Sequence, residues 1–450
     1  MPQEQKGENA MKLKKILCVI SIMALSATML IGCDKDTSSS TATDETDIAS
    51  EEVTEAPTEP QVTGGNIRFM SAYDLNPVPG ADRSIALTLY EDVYGGKIEW
   101  VPTTEENMYD DLSRSVLGGD PVDMFPYTDN ALPYGVAEGY FDPVDSYIDF
   151  ESDLWKDTKT LADKMAYKGE HYAVPTGINE VYGLIYSRKA VKDMDGFEDP
   201  YKLYQDGKWT WDTFISMMKE YENKGCAGFI GKGIMQSTGV PYVSYDGSSF
   251  KPNPGSDDLK AAGAMQDEIS GPMYDGGWYD TLSEDILFLG MGSWAVPQSN
   301  DANEDEDVFF VPYPSKDGSG KYITADINSK MLVKGSKNAG AVAAYLECER
   351  IAATEEKYVK AQKEAALKKG FTEEQYDFIS SLKNDLDNVV FDFSYGFSKK
   401  VSNDASDYEK RGIVNNLNDA VLIGFEKAPD SWSDFSSEYL EKLETECGKY

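Results

Sequence analysis

Strand and helix signals alternate along the chain from residue 66 to residue 125. The stretches 66–73, 97–101 and 121–125 have the apolar and β-branched composition of strands, and helix patterns at 81–93 and 103–117 separate them. Alternation at this pace is typical of an α/β fold with a largely parallel sheet. Ligands of such sheets bind at loops beyond the carboxyl ends of the strands. Tyr73-Asp74 and the segment 127–130 are therefore candidate ligand loops.

Helix starts are marked by side chains that can accept hydrogen bonds from free backbone N–H groups. Thr103 with Glu106, and Thr372 with Gln375, have the spacing of a capping box. Thr210 precedes another helix pattern and is a predicted N-cap. No internal repeat is visible, and 65–450 is long enough for two domains or lobes.

The N-terminal part of the chain has the pattern of an export signal. A basic stretch, 11–15, precedes the uncharged apolar run 16–31, which is shorter than the about 20 residues that a membrane-spanning helix needs. The run ends in Leu-Ile-Gly-Cys33, which resembles the lipobox of bacterial lipoproteins. That resemblance implies cleavage after residue 32 and a diacylglyceryl group on Cys33. Met11 is the expected start, and an ordinary signal peptide with a chance cysteine is the alternative.

A polar segment follows the lipobox. Residues 34–64 contain 11 Ser/Thr and 9 Asp/Glu against one Lys, and no aromatic residue. Such a composition cannot offset the entropy cost of ordering the backbone. We therefore predict that 1–32 is a lipoprotein signal peptide and that 33–64 is a disordered tether. The tether would hold the folded part at the extracellular face of the cell membrane.

Charge and cysteine content narrow the function further. The chain carries 42 Lys and Arg against 79 Asp and Glu, a formal net charge of -37, which disfavours nucleic acid as a partner. Without Cys18 in the signal and Cys33, three cysteines remain: Cys226, Cys348 and Cys447. One disulfide among them is possible, and the spacing does not say which. No Cys/His cluster indicates a metal site, and we predict no metal and no cofactor.

Five segments, in order, resemble those of the extracellular solute-binding proteins of ATP-driven (ABC) importers, the branch that includes maltose-binding protein. The segment 167–191, YKGEHYAVPTGINEVYGLIYSRKAV, is similar to the hairpin and the strand that crosses between lobes. DGKWTWDTF (206–214) is similar to the following helix start, and FLGMGSWAVP (288–297) to a strand and turn whose Trp faces ligand. The segment 311–347 resembles the return strand and helix of the first lobe. The lipobox with its acidic tether is the fifth.

The resemblance implies two α/β lobes, joined by crossing segments and closing over ligand about a hinge. The crossings are expected near 176–183, 312–323 and 367–373. Lobe one would consist of 65–178 plus 323–370, and lobe two of 179–322 plus 371–450. We expect a monomer that works with the membrane permease subunits of an importer.

Two candidate ligand residues come from this resemblance. The resemblance implies that Trp294 is the residue of lobe two that stacks on the ligand; a tryptophan packed in the core is the alternative. Glu180 lies six residues before Tyr186, where the crossing strand of the family often carries a ligand-binding carboxylate; a solvated loop acid is the alternative. Trp278, in Gly-Gly-Trp-Tyr-Asp, is a second possible platform or else a packing anchor. Trp155, Trp209, Trp211 and Trp432 are predicted core residues.

The other candidates lie on the loops after the first and third predicted strands. Tyr127, Asp129 and Asn130 follow the third strand, where the family often has an aromatic residue and an acid. Tyr73 and Asp74 follow the first strand. Sugar rings pack their C–H faces on aromatic planes, and carboxylates accept hydrogen bonds from hydroxyl groups. Each of these residues could equally have a structural role in its loop.

Two other patterns are rejected. The acidic residues 301–307 have the opening spacing of a calcium loop, but Glu306 stands where glycine is needed and Pro312 where glutamate is needed. His171 is the one histidine of the chain and is predicted to lie at the surface, without a nucleophile to activate.

Three functions remain on sequence grounds. The leading hypothesis is a non-catalytic receptor that captures a carbohydrate, such as an oligosaccharide, and delivers it to an ABC permease. A lipoprotein glycoside hydrolase is the first alternative, although 79 acidic residues make any candidate pair uninformative. An accessory protein that presents ligand to a sensor kinase is the second. We predict no catalytic residue.

Overall fold

The computed structural model describes residues 64–231, 237–269, 274–275, 280–302, 307–397 and 432–450. The strands in these ranges are β1 (Asn66–Ser71), β2 (Lys97–Pro102), β3 (Met124–Pro126), β4 (Ala173–Ser187), β5 (Ala227–Gly231), β6 (Val243–Tyr245), β7 (Phe250–Pro252), β8 (Tyr274–Asp275), β9 (Ile286–Gly292), β10 (Val308–Val311) and β11 (Thr324–Leu332).

Helices alternate with these strands. They are α1 (Ile85–Asp92), α2 (Met108–Leu117), α3 (Tyr134–Ala137), α4 (Lys159–Lys164), α5 (Arg188–Lys192), α6 (Pro200–Gln205), α7 (Trp211–Glu222), α8 (Asp257–Ile269), α9 (Ala295–Ala302), α10 (Ala339–Thr354), α11 (Glu356–Lys368), α12 (Glu373–Lys383) and α13 (Trp432–Cys447). Short 3-10 turns cover Asp129–Ala131, Leu386–Asn388 and Phe393–Gly396.

Nine described strands form one continuous hydrogen-bonded sheet in the order β2-β1-β3-β11-β4-β9-β5-β8, with β10 also paired to β4. Strands β1, β2 and β3 run parallel at one end, and β5, β8 and β9 run parallel at the other. Between these two parallel groups, β4 and β11 pair antiparallel with each other and with their outer neighbours. The α/β class is confirmed, and β4 and β11 are the strands that connect its two halves.

The pairing of β4 with β11 is irregular at its middle. Its register shifts between Asp326 and Ile327 and again between Asn328 and Ser329. An extra residue in one strand bends the ladder locally and re-aims nearby side chains. These bulges lie within the predicted crossing 176–183 of β4. The lobe boundaries and the hinge positions stay predictions.

Apolar side chains form two buried clusters. The smaller cluster lies between the β1–β3 end of the sheet and helices α1 and α10, and Phe69, Tyr90 and Tyr345 are nearly inaccessible there. The larger cluster extends from Phe125 beside β11 to Phe288 on β9. The prediction that three tryptophans belong to the core is confirmed, because each is almost fully buried: Trp155, Trp209 and Trp211. The side chain of Trp432 lies outside the described part of the structure.

Helix starts agree with the sequence at two of three places. Thr372 and Gln375 form the predicted capping box of α12, and Thr210 Oγ1 accepts a hydrogen bond from Thr213 N at the start of α7. The box predicted at Thr103 is wrong. Helix α2 begins after Asn107 instead, because Thr103 Oγ1 donates to Asp111 Oδ2 at 2.5 Å.

The prediction for His171 also needs correction. Its ring is mostly buried, lies 4.8 Å from the ring of Phe150, and places Nδ1 2.6 Å from Asp145 and Nε2 3.0 Å from Asp163. It is a structural residue that joins the loop before α4 to the hairpin.

Cysteine and membrane predictions fall partly outside the described residues. Cys226, Cys348 and Cys447 carry free thiols in the structure. The described helices include none with the length and apolar character to cross a membrane. Residues 1–63, with the lipobox and nearly all of the tether, lie outside the described ranges.

Candidate functional site

Three neighbouring strands present a carboxylate-rich and aromatic face at the middle of the sheet. Asp326 of β11 stands directly opposite Glu180 of β4. Tyr182 lies two residues further along β4, opposite Gly292 of β9. Side chains alternate between the faces of a strand, and directly opposed residues share a face. Asp326, Glu180 and Tyr182 are therefore neighbours on one surface.

Trp294 extends this surface, because its indole covers Gly292. A Cβ atom built on Gly292 would lie 2.6 Å from both Cδ1 and Nε1 of Trp294, and 3.0 Å from Cγ of Glu180. Only a glycine leaves room for the indole there. Trp294 is half-buried, so one part packs against the larger cluster and another part stays accessible. The structure thus places the predicted Trp and Glu side by side.

Glu180 is held by several fixed contacts. Ser293 Oγ donates a hydrogen bond to Oε1 of Glu180, and Val181 N donates to the same oxygen at 3.1 Å. Lys383 Nζ lies 4.0 Å from Oε1 and donates to the carbonyl of Asn179 at 2.6 Å. These contacts within the described chain all reach Oε1. Should Glu180 bind a ligand, as predicted, we expect its second oxygen, Oε2, to accept the hydrogen bond.

The loop after β3 lies beside the same strands. Tyr127 N donates to Ser329 O of β11 at 3.0 Å, which anchors the loop against the crossing pair. The ring of Tyr127 lies 6.2 Å from the ring of Phe391. Asp129 starts the following 3-10 turn, which also contains the half-buried Asn130.

Carboxylates repel one another in this region. Loss of hydration raises the pKa of Asp129 to about 6, and the negative charges of Asp326 and Asp392 add to the shift. Asp129 and Asp326 are exposed residues, although many protein atoms surround both carboxylates. We call the region around Asp129, Glu180, Asp326 and Trp294 the candidate cleft. Burial is also the main cause of the raised pKa of Asp326, and Glu180 contributes.

Asp392 differs from the other acids because backbone groups already satisfy it. It accepts hydrogen bonds from Tyr242 N at 2.7 Å, Val243 N at 3.1 Å and Ser394 N at 2.9 Å. Its carboxylate ties the segment near residue 392 to β6. Its oxygens are therefore engaged by the backbone, while burial raises its pKa and its charge contributes to the raised pKa of Asp129.

The loop after β1 contributes one aromatic residue to the cleft and one structural acid. Tyr73 packs against the smaller cluster. Burial raises its pKa well above the usual range, and the charges of Glu349 and Asp326 add to the shift. Asp74 instead stabilises its own turn: Oδ1 accepts from Asn76 N at 2.9 Å and from Asn76 Nδ2 at 2.8 Å.

The structure therefore brings most of the predicted residues to one region, while their part in ligand binding stays a prediction. Trp294 and Glu180 touch the same glycine, and Tyr127 N is hydrogen-bonded to Ser329 O of β11. The charge of Asp326 contributes to the raised pKa values of Tyr73, Tyr127 and Asp129. Trp278 lies outside the described residues, as do positions 303–306 of the rejected calcium loop.

The sequence analysis missed three neighbours of these residues, Asp326, Tyr182 and Phe391. Asp326 had a detectable signal, since it is an acid within the strand pattern TADINSKML, directly after the predicted crossing 312–323. Its partner on β4 depends on long-range register, which one sequence does not contain. Among the described residues, no group of three His, Cys, Asp or Glu side chains is arranged to hold a metal ion.

Comparison with solved structures shows the same fold in sugar-binding proteins. An ABC substrate-binding protein from Listeria monocytogenes, in complex with cycloalternan, is 16% identical with a TM-score of 0.55, over 86% of this chain and 99% of that one. The galacto-N-biose-/lacto-N-biose I-binding protein of Bifidobacterium longum is 13% identical with a TM-score of 0.55, over 85% and 97%. The cyclic alpha-maltosyl-1,6-maltose binding protein of Arthrobacter globiformis is 12% identical with a TM-score of 0.57, over 86% and 99%.

These likenesses establish the fold as that of the two-lobe binding proteins. A search of curated proteins found no match. A family model, described as bacterial extracellular solute-binding protein, matches residues 77–348, which is more than half of the chain. The family comprises binding proteins and not enzymes. The chain belongs to the bacterial extracellular solute-binding protein family.

Proposed function

We propose that this protein is a membrane-tethered extracellular receptor that captures a carbohydrate, in the first place an oligosaccharide, and delivers it to an ABC permease. The observation that carries the proposal is the position of Trp294 beside Glu180, which stands opposite Asp326 on the two strands that connect the halves of the sheet. An indole suits the C–H face of a sugar ring, and the carboxylates accept hydrogen bonds from its hydroxyls. The sugar complexes of proteins with the same fold support this ligand class.

The tether rests on sequence alone. Cys33 follows Leu-Ile-Gly, and the acidic segment to residue 64 gives the folded part reach from the membrane. Expression of the full chain in a bacterium, with Cys33→Ala as the control, tests this. We expect the wild-type protein in the membrane fraction and the variant in the medium or soluble fraction. Equal fractionation of both proteins would contradict the anchor.

A ligand screen tests the binding function. The mature protein is heated with maltotetraose, raffinose, lacto-N-biose and a wider glycan panel, and any ligand that raises the unfolding temperature is titrated by calorimetry. We expect a stable complex with at least one glycan and its recovery intact by mass spectrometry. Shorter sugars among the products would favour the hydrolase alternative. A panel without any binding member would contradict the carbohydrate assignment.

A further inference from the structure

Two carboxylates face each other across neighbouring strands in the cleft. Glu180 and Asp326 occupy directly opposite positions of β4 and β11, where Cβ atoms lie about 5 Å apart. Like charges at such positions destabilise a sheet. The register shift directly after Asp326 marks a bulge at this point, a feature common beside functional sites because it re-aims side chains. The pair is therefore a costly arrangement that ordinary strand pairing does not require.

The surrounding charges do not neutralise the pair. Lys383 is the described cation that approaches: its Nζ lies 4.0 Å from Glu180 Oε1 and donates to Asn179 O, and its charge also acts to lower the pKa of Asp326. One ammonium group thus faces two carboxylates. The side chain of Asn179 donates a hydrogen bond to Asp326, and Asp129 adds another negative charge nearby. Among the described residues named here, three carry carboxylates (Glu180, Asp326 and Asp129) and one, Lys383, carries an ammonium group.

We infer that Asp326, paired with Glu180, is the specificity-determining residue of the cleft, admitting carbohydrates with hydrogen-bond donors and excluding those that carry carboxylate, sulfate or phosphate. This inference rests on the proposed function and deepens it. Both carboxylates can accept hydrogen bonds from the hydroxyl or ammonium groups of a sugar. Binding therefore relieves the repulsion between Glu180 and Asp326. An anionic sugar would add a further negative charge beside two carboxylates that already stand opposite each other. Tyr182 and Trp294, on the same surface, offer rings for an uncharged sugar face.

The test compares three proteins with three sets of glycans. The proteins are the wild type, Asp326→Asn and Asp153→Asn; the last is a matched control, because Asp153 has a side chain 98% exposed and loses the same charge. The neutral set is maltotetraose, raffinose and lacto-N-biose, the amine-bearing probe is a glucosamine trimer, and the anionic set is digalacturonate, sialyllactose and trehalose 6-phosphate. Calorimetry gives the dissociation constants, and thermal unfolding reports the stability of each ligand-free protein.

We expect the wild type to bind a neutral or amine-bearing member and none of the anionic set. Asp326→Asn should weaken that ligand at least tenfold without lowering the unfolding temperature of the ligand-free protein, because a repulsive pair is lost. Asp153→Asn should stay within twofold of the wild type. Tight wild-type binding of an anionic glycan, or full affinity in Asp326→Asn, would overturn the inference and leave the carbohydrate function in place. An absence of binding to all seven probes and to the wider glycan panel would contradict both.

Discussion

Because Gly292 lies against the indole of Trp294, the substitution Gly292→Ala should weaken ligand binding with little change in the stability of the fold. In Gly292→Ala the new methyl group would lie 2.6 Å from two indole atoms, whereas ordinary carbon contacts are about 3.5–4.0 Å. The indole must therefore move by about 1 Å or rotate. Because Trp294 is half-buried and borders the cleft, it can move toward solvent. The methyl group would also lie 3.0 Å from Cγ of Glu180, so the change mainly displaces the predicted stacking platform, without deleting it, and presses less on Glu180.

The cost to folding should be small. Gly292 is not among the residues with positive φ, so alanine fits its backbone. A displaced side chain costs about 0.5–1.5 kcal/mol, and the lower entropy of the unfolded chain returns about 0.4–1 kcal/mol. We expect the free energy of unfolding to change by no more than about 1 kcal/mol, and the unfolding temperature by less than about 4 °C.

The cost to binding should be larger. A misplaced aromatic platform loses its stacking term and part of its buried contact, about 1–2 kcal/mol, which raises the dissociation constant roughly five- to thirtyfold. Titration calorimetry with the best glycan of the screen measures it. Gly255→Ala is the control, because its methyl group would make an ordinary 3.5 Å contact with Leu440. Unchanged affinity together with a large loss of stability would show that Trp294 is only a core residue.

Four further substitutions give testable predictions. Trp294→Ala should weaken the glycan at least tenfold, about 1.4 kcal/mol. Glu180→Gln should weaken it less, because one acceptor oxygen becomes an NH2 group while the side chain keeps its size beside Gly292; calorimetry measures both. Asp129→Asn should stabilise the protein above pH 6 and lose this advantage as the pH falls toward 4. The reason is that folding raises the pKa of the Asp129 carboxyl from 3.8 to about 6, so its ionised form destabilises the folded protein. Lys330→Met should lower the free energy of unfolding by about 3–5 kcal/mol in denaturant titrations, because Glu349 would stay buried without its partner, now 2.6 Å away.

Each of these predictions has a clear contrary result. Wild-type affinity in Trp294→Ala would remove the stacking role, and a greater loss in Glu180→Gln than in Trp294→Ala would reverse their order of importance. A stability gain in Asp129→Asn that is constant from pH 4 to pH 8 would show that folding does not raise the pKa of Asp129. A Lys330→Met protein as stable as the wild type would show that the ion pair does not anchor β11 to α10.

Local signals in the sequence predicted local structure well. The box at Thr372 and the cap at Thr210 formed because each threonine reaches backbone atoms only a few residues away. The box at Thr103 failed because the same hydroxyl found a competing partner, Asp111, one turn into the helix. Burial of Trp209 followed from its place beside apolar residues, and its Nε1 donates to Pro312 O at 2.9 Å, a partner 103 residues away that no local pattern indicates.

The candidate site was predictable only in part, for a similar reason. Trp294 and Glu180 came from short segments that resemble the family, and the structure places them together over Gly292. Asp326 was missed because its importance depends on its register opposite Glu180, nearly 150 residues earlier in the chain. Tyr182 was overlooked because a tyrosine in an apolar strand suggests core, yet its exposed fraction is 37%. Long-range strand pairing decided both.

Small-angle X-ray scattering of residues 64–450, with and without the best glycan of the screen, tests the central claim most directly. We predict that the radius of gyration falls when the glycan is added, that the fall saturates at the calorimetric stoichiometry, and that the glycan is recovered unchanged. Identical scattering curves at saturating glycan, or a glycan recovered as fragments, would contradict a receptor that closes its two lobes around an intact sugar.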